Sequence, residues 1–226
     1  MYFPTPGLTV LNLENNLIRS DGAAAVAEAL LFNGSLTHLN LNNNELCDQD
    51  VGGFNFVVNK NEHKNLIAVE AIAKLLTNRS TLLHLELECN FLGGQGAAVI
   101  AKALEDNTGL TTLNVANNRI GEGVGAQALG DALRVNCTLK YLNAAASNDF
   151  AIAGAELISQ GLKSNRTLTN INLGGNPFAG LQNVALEGAV AISKAVAGNA
   201  GLKEVNLLGN MFAWPEDTDQ PLCMKC

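Results

Sequence analysis

Two histidines and two glutamates at recurring positions have the clearest potential for chemistry. His84, Glu86 and Glu88 alternate with leucines in the stretch NRSTLLHLELECN, and His38 holds the place of His84 in the similar stretch LTHLNLNNN. If the two stretches are neighbouring strands, the histidines lie roughly 5 Å apart. With the glutamates nearby, they could bind a divalent metal. Exposed residues of these types more often form a hydrated polar patch, so we predict no metal site.

The sequence contains no other constellation that would carry catalysis. We find no nucleophile with a base and an acid, no glycine-rich phosphate loop and no metalloprotease motif. The stretch GEGVG at Gly121–Gly125 has the residues of a turn before a helix. At the C-terminus, Cys223-x-x-Cys226 would suit half a zinc site, a redox pair or a prenylation-like signal, and we interpret it as a tail without such a role. We therefore predict no catalytic residues and no cofactor.

Composition narrows the classes of partner. The 226 residues carry a net charge of −7 and no cluster of Lys or Arg, which argues against a nucleic acid partner. The N-terminal MYFPTPGLTV has neither a basic region nor a long apolar run, so we expect no signal peptide, no membrane span and a cytoplasmic protein. The five cysteines are odd in number and scattered, which favours free thiols.

The elements that position these residues recur along the chain. The pattern Leu-x-x-Leu-x-Leu-x-x-Asn appears, for example, as LTVLNLENN and LTTLNVANN. Seven frames, at successive spacings of 28, 46, 28, 29, 29 and 34 residues, start at Leu8, Leu36, Leu82, Leu110, Leu139, Leu168 and Leu202. The alternation of apolar and polar residues in each frame predicts a short, half-buried strand.

A helix rich in glycine and alanine follows most strands. Such segments start at Gly22, Gly96, Gly125, Gly154 and Gly188. Apolar residues recur in them at helical spacing, and the alanines allow close packing on the strand layer. The asparagine that ends each segment suits a left-handed helix C-cap. It also creates the sequons at Asn33, Asn78, Asn136 and Asn165, which we interpret as a by-product of the repeat rather than as glycan sites.

These features make the chain, from Leu8 to Asn210, similar to the ribonuclease-inhibitor-type subfamily of leucine-rich repeats. The resemblance implies a right-handed α/β solenoid, with a parallel β-sheet on the concave face and helices on the convex face. It implies a single leucine-rich repeat domain over residues 1–226. It also implies an internal asparagine ladder that bonds backbone groups where the chain leaves each strand. The ladder residues would be Asn16, Asn44, Asn90, Asn118, Asn176 and Asn210.

Several segments depart from the repeat. The fifth frame has Ser147 at the ladder position and Asn148 one residue late, which predicts a local irregularity. Insertions lie at about 47–67 and 179–187, and 211–226 is an irregular tail. Insertions in repeat arrays often serve binding, although a loop that folds back on its own repeat would also explain them. We predict that the strands on either side of the first insertion still pair.

The polar positions of the strands form three columns on the predicted concave face. Side chains at the third, fifth and seventh positions of each frame should point away from the core. These positions include Glu14, Glu86, Glu88 and Glu204 and no Lys or Arg, so we predict a mildly negative face. Two interpretations stay open. The columns are either a binding surface or the hydrated side of the strands, with asparagines that bond only within the protein.

The absence of catalytic motifs favours a non-enzymatic protein-interaction or scaffold module. We expect a protein partner with a basic surface. On the concave face it would contact Glu14, His38, His84, Glu86, Glu88 and Tyr141, and on the insertion loop it would contact Phe54 and Phe56. The alternatives are a GTPase-activating domain similar to the Ran regulator, of which no activity residue can be matched here, and an inhibitor similar to ribonuclease inhibitor.

Both ends of the array lack a conventional capping unit in the sequence. The first frame starts at Leu8, and the last is followed by a stretch with two prolines, Pro215 and Pro221, which discourage a helix. Terminal repeats without caps expose apolar surface and a sheet edge. We therefore expect the ends to be covered by a partner chain, another copy or further sequence, as in a larger assembly.

Overall fold

The computed structural model describes residues 7–47, 66–78, 81–146, 148–176 and 187–210. Within these ranges seven three-residue strands form one parallel sheet, in which their order is their order in the chain. The strands are β1 (Val10–Asn12), β2 (His38–Asn40), β3 (His84–Glu86), β4 (Thr112–Asn114), β5 (Tyr141–Asn143), β6 (Asn170–Asn172) and β7 (Glu204–Asn206). Each occupies the third to fifth positions of its frame, so the seventh position lies just beyond the strand.

Six helices of the described ranges connect the strands. They are α1 (Arg19–Leu30), α2 (Ile67–Thr77), α3 (Gly93–Asp106), α4 (Ala126–Val135), α5 (Ala151–Ser164) and α6 (Glu187–Ala197). The stretch Gly121–Gly125 forms a π-helical turn before α4, in which Gly123 leaves helical geometry (φ −93°, ψ −124°). Strands and helices alternate along an open sheet, which is the predicted α/β solenoid. None of these helices has the length and apolarity needed to cross a bilayer.

The core lies between the sheet and the helices. Leucines at the fourth and sixth positions, such as Leu39, Leu41, Leu85 and Leu87, are almost completely buried there. Burying each such side chain stabilises the fold by roughly 1.5–3 kcal/mol. Small residues set the helix spacing, since a Cβ atom on Gly161 of α5 would overlap a backbone carbonyl of α4.

The register is continuous across the first insertion. His38, Leu39 and Asn40 of β2 pair with His84, Leu85 and Glu86 of β3, as predicted from the resumption of the repeat. Phe54 and Phe56, most of the second insertion, Cys223, Cys226 and the rest of the tail lie outside the described residues. The uncapped ends stay a prediction for the same reason. Among the described residues, Cys89 and Cys137 are free thiols.

The predicted asparagine ladder runs through all the described repeats. In Asn118, for example, Oδ1 accepts a hydrogen bond from the backbone N–H of Asn90 (2.9 Å), and Nδ2 donates to the carbonyl of Leu87 (2.8 Å). In the fifth repeat Asn148 takes the ladder position, since its Oδ1 accepts from the N–H of Asn118 (2.9 Å). The predicted irregularity is therefore confirmed as one extra residue before the ladder, with Ser147 itself outside the described ranges.

The predicted left-handed C-cap is wrong, because the asparagines that end the helices form a second ladder. Asn107, Asn136 and Asn165 have extended backbones, with φ of −76°, −67° and −68°. The Nδ2 atom of Asn136 donates to the carbonyls of Leu104 (2.7 Å) and Asn107 (3.2 Å), and that of Asn165 donates likewise to carbonyls of the preceding repeat. A glycan would attach at this nitrogen. The buried, bonded sequons of Asn136 and Asn165 are thus structural.

Candidate protein-interaction face

The sheet brings all the predicted concave residues onto one face. The third positions follow one another across the sheet, with His38 beside His84 and Tyr141 two strands further on. Glu86 lies two residues along β3 from His84 and points to the same side, because side chains alternate along a strand. Glu14 and Glu88 occupy the seventh positions, just after β1 and β3. Their neighbours in the fourth and sixth positions point into the core.

The two histidines form a stacked pair. Their ring centroids are 4.0 Å apart and the ring planes differ by 11°. The hydroxyl oxygen of Thr37 lies 2.7 Å from Nδ1 of His38. Partial burial lowers the pKa of His84, and the positive charge of a protonated His38 lowers it further. In a face-to-face stack the ring nitrogens do not converge on one point, and the described residues contain no group of three metal-ligating side chains.

The fifth column is a structural element. The Oδ1 atom of each asparagine accepts a hydrogen bond from the backbone N–H two residues later. Asn12 accepts from Glu14 (2.9 Å), and Asn143 accepts from Ala145 (3.2 Å). The same bond forms in the second, fourth, sixth and seventh frames. The asparagines therefore hold the chain as it turns away from the strand. For this column, the interpretation of bonds within the protein is correct.

Glu86 is the exception in the fifth column. The N–H of Glu88, which an asparagine at position 86 would bind, donates instead to Oδ1 of Asn42 in the neighbouring repeat (2.7 Å). Among the described residues the Glu86 carboxylate accepts no hydrogen bond and forms no ion pair. The backbone role of this position is thus filled by another residue, and the carboxylate is left available at the surface.

The other carboxylates of the face are bonded to asparagines. Glu88 accepts a hydrogen bond from Nδ2 of Asn114 (3.1 Å), and Glu14 accepts one from Nδ2 of Asn40 (3.0 Å). On β7, Glu204 is bonded in the same way to an asparagine of β6. These neutral partners hold the carboxylates in place and leave their charges uncompensated.

Tyr141 is the aromatic side chain of this face, and about a third of it is exposed (36%). Desolvation raises the pKa of its phenol, and the negative charges of Glu86, Glu204 and Glu88 raise it further. Three carboxylates of the same face, from strands on either side of β5, therefore act on the space around one aromatic ring. A cation in that space would gain both the carboxylate charges and the face of the ring.

Sequence reasoning found these residues but ranked them alike. The sequence does distinguish Glu86 from the other predicted contact residues, because every other fifth position is asparagine. That Glu86 has no structural role follows only from the hydrogen bond between Glu88 and Asn42, which joins residues 46 positions apart.

Two family models agree with the fold. A family model described as Leucine Rich repeat matches residues 106–130, and one described as Leucine Rich Repeat matches residues 35–56. No curated protein matches the chain. Among solved structures, "Leiomodin-1 Actin-Binding Site 2 (ABS2)" is similar to it at 25% identity and a TM-score of 0.44, over 50% of this chain and 62% of that one. This chain therefore spans less than two thirds of that structure. The two matched repeats, with seven in-register parallel strands and the six helices of the described ranges, show an α/β leucine-rich repeat solenoid.

Proposed function

We propose that the protein is a non-enzymatic interaction module whose concave face binds a basic surface of a partner protein. Glu86 carries the proposal. It stands where every other strand has a structural asparagine, Asn42 supplies the missing backbone bond, and the Glu86 carboxylate has no partner among the described residues. A side chain that the scaffold does not use, in the middle of a polar face, is available for a ligand.

The surrounding charges favour a cationic ligand. Glu14, Glu86, Glu88 and Glu204 lie on a face whose three columns contain no Lys or Arg. Like charges without neighbouring cations give a coherent potential, which increases the association rate of an oppositely charged surface. Tyr141 lies among them and offers the kind of aromatic anchor that often dominates binding energy. The same charges disfavour a nucleic acid or an anionic membrane as the ligand of this face.

The proposal includes the subfamily and the compartment. Helices of 10 to 14 residues in most repeats support ribonuclease-inhibitor-type units rather than units with short connections. The free thiols of Cys89 and Cys137 support a reducing compartment such as the cytoplasm. Phe54 and Phe56 of the insertion are the second candidate contact, and the experiment below separates them from the concave face.

The test compares three variants that change one position each. Affinity capture on the wild type, with mass spectrometry, supplies a binding protein, whose association rate is then measured at low and high salt. Glu86→Lys changes the charge by two units. At a separation of about 8 Å in water this is worth about 1 kcal/mol, so we expect association about fivefold slower at low salt. Glu86→Asn, which restores the residue of the other strands, should have about half that effect in kcal/mol and leave stability unchanged.

The matched control is Glu156→Lys, an equal change of charge at an exposed position of α5 on the convex side. We expect it to leave the rate nearly unchanged, and we expect the effect of Glu86→Lys to shrink at high salt. Equal rates for the wild type and Glu86→Lys at low salt would refute the concave site. Loss of binding on Phe54→Ala together with Phe56→Ala, with no effect at Glu86, would assign the contact to the insertion.

A further inference from the structure

A groove follows the edge of the solenoid where the chain leaves the first four strands. Two residues per repeat line it, one on each side of the ladder asparagine, from Asn15 and Leu17 in the first repeat to Asn117 and Arg119 in the fourth. Its volume is about 520 Å³. This is within the usual range for sites that hold small molecules or short peptides. We call it the turn-edge groove.

The backbone of the turn-edge groove is held rigidly. All of its lining residues have left-handed conformations, with φ between 52° at Leu17 and 60° at Asn15. This conformation costs a bulky residue roughly 1–2 kcal/mol. Hydrogen bonds between repeats maintain it, such as those from the N–H of Asn43 to the carbonyl of Glu88 (2.9 Å) and from the N–H of Cys89 to that of Ala116 (3.2 Å). A ligand would therefore find a preformed surface, with little ordering left to do.

The polar side chains along the groove match the groups of a peptide backbone. A side-chain amide has a donor and an acceptor, like a peptide group. Among the described residues the side-chain amides of Asn15 and Asn43 make no hydrogen bond. Nδ2 of Asn117 donates to Sγ of Cys89 (2.8 Å). Neighbouring repeats are about 4.8 Å apart, so four repeats span about 14 Å, which is the length of about five residues of extended peptide with a rise of roughly 3.4 Å per residue.

The charges of the groove select the side chains of such a peptide. Glu45 is paired with Arg19, whose Nε lies 3.7 Å from its carboxylate. The guanidinium of Arg119 lies 5.6 Å from the ring centroid of Phe91 and is paired with no carboxylate in the described ranges. The uncompensated charge is thus positive and lies at the fourth repeat. At the first repeat, the apolar residue Leu17 is 60% exposed.

We propose that the turn-edge groove binds an extended peptide segment of about five residues, with a carboxylate side chain at Arg119 and an aliphatic side chain at Leu17. These two peptide side chains are four residues apart and therefore point to the same side. The peptide backbone bonds the side-chain amides of Asn15 and Asn43 in the first two repeats. The site prefers acidic peptides, whereas the concave face is proposed to prefer basic surfaces. The two sites are therefore independent, and neither proposal rests on the other.

The probes are N-acetylated, C-amidated pentapeptides added to the full chain. Leu-Ala-Ala-Ala-Glu and Glu-Ala-Ala-Ala-Leu test both chain directions, and each has a Gln analogue. Backbone and side-chain amide signals of ¹⁵N-labelled protein report binding. We expect the better acidic peptide to shift the side-chain amides of Asn15 and Asn43 and to bind at least tenfold more tightly than its Gln analogue, because a charged hydrogen bond is lost in the analogue.

Two variants test the assignment. Arg119→Gln should reduce the Glu-to-Gln preference to less than about twofold, with unchanged thermal stability because the side chain is exposed. Asn43→Asp tolerates the left-handed backbone and should weaken the acidic peptide by placing a carboxylate beside it. Glu86→Lys should leave peptide binding unchanged.

Three results would overturn the proposal. They are equal affinity for the Glu and Gln peptides, a preference that persists in Arg119→Gln, and shifts confined to the concave residues His84 and Tyr141. A result of any of these kinds leaves the concave proposal standing, because that proposal is tested separately at Glu86 with a basic partner.

Discussion

Replacing Asn136 by alanine removes the side chain that joins two repeats at the end of α4. Its Oδ1 atom accepts hydrogen bonds from the N–H groups of Thr138 (3.0 Å) and Leu139 (2.8 Å), and its Nδ2 atom donates to the carbonyls of Leu104 (2.7 Å) and Asn107 (3.2 Å). Leu139 and Leu104 are buried, so water cannot replace these bonds without opening the structure. The N–H of Leu139 and the carbonyl of Leu104 would stay buried without a hydrogen-bond partner, which costs about 1–2 kcal/mol for each group. We expect Asn136→Ala to lower the free energy of unfolding by about 2–4 kcal/mol.

The assay is urea denaturation followed by circular dichroism. Asn78→Ala is the control, because Asn78 also follows the last residue of a repeat helix but is exposed. Its loss should stay within about 0.5 kcal/mol. Hydrogen exchange should also accelerate around α4 and β5, since each repeat of a solenoid is stabilised by its neighbours. Equal, small losses for the two variants would refute the second ladder as a source of stability.

Two further substitutions test packing and charge. Gly161→Ala should lower the free energy of unfolding by about 1–2 kcal/mol, after the gain in helix propensity is included, because its Cβ atom would overlap the Gly130 carbonyl. The control in the same urea assay is Gly198→Ala, whose nearest contact would be an ordinary 3.4 Å. Equal effects of the two substitutions would contradict the overlap as the cause. The lowered pKa of His84 means that the folded state favours the neutral ring, so its contribution to stability is complete above pH about 6.5 and is lost as the pH falls through the folded pKa. Titration of His84 by NMR should give a higher pKa in His38→Gln than in the wild type, and an unchanged pKa would contradict the contribution of the stack.

The fold could be predicted because the leucines that it buries recur in the sequence with the period of the repeat. Each frame supplies two inward side chains, and a shift by one residue would expose both of them, so the register follows from the sequence even across the first insertion. An irregularity at Ser147 and Asn148 was also predicted from the repeat, whereas the place of Asn148 in the ladder is seen only in the structure. A buried ladder needs an amide in each repeat, and the chain accommodates one extra residue to supply it.

The backbone around the asparagines could not be predicted from local preferences. Asparagine tolerates a left-handed conformation well, which suggested C-caps, but carbonyls of the preceding repeat hold Asn136 and Asn165 in extended conformations. Leu17 and Phe91, in contrast, have left-handed backbones that their side chains disfavour. In both cases hydrogen bonds between repeats decide the conformation, and these partners lie about 30 residues away in the sequence. The turn-edge groove depends on this second group and was therefore absent from the sequence interpretation.

The buried ladder connects the two proposed sites, which determines how they can be tested apart. Asn90 lies between Cys89 and Phe91 of the turn-edge groove, and its Nδ2 atom donates to the carbonyl of Glu88 (3.1 Å), next to the concave carboxylates. A change at Asn90 would disturb both sites, so loss of binding there would identify neither. Glu86 and Arg119 point their charged groups outward and make no ladder bond among the described residues. Substitutions at these two positions therefore change one surface each and leave the ladder that supports both intact.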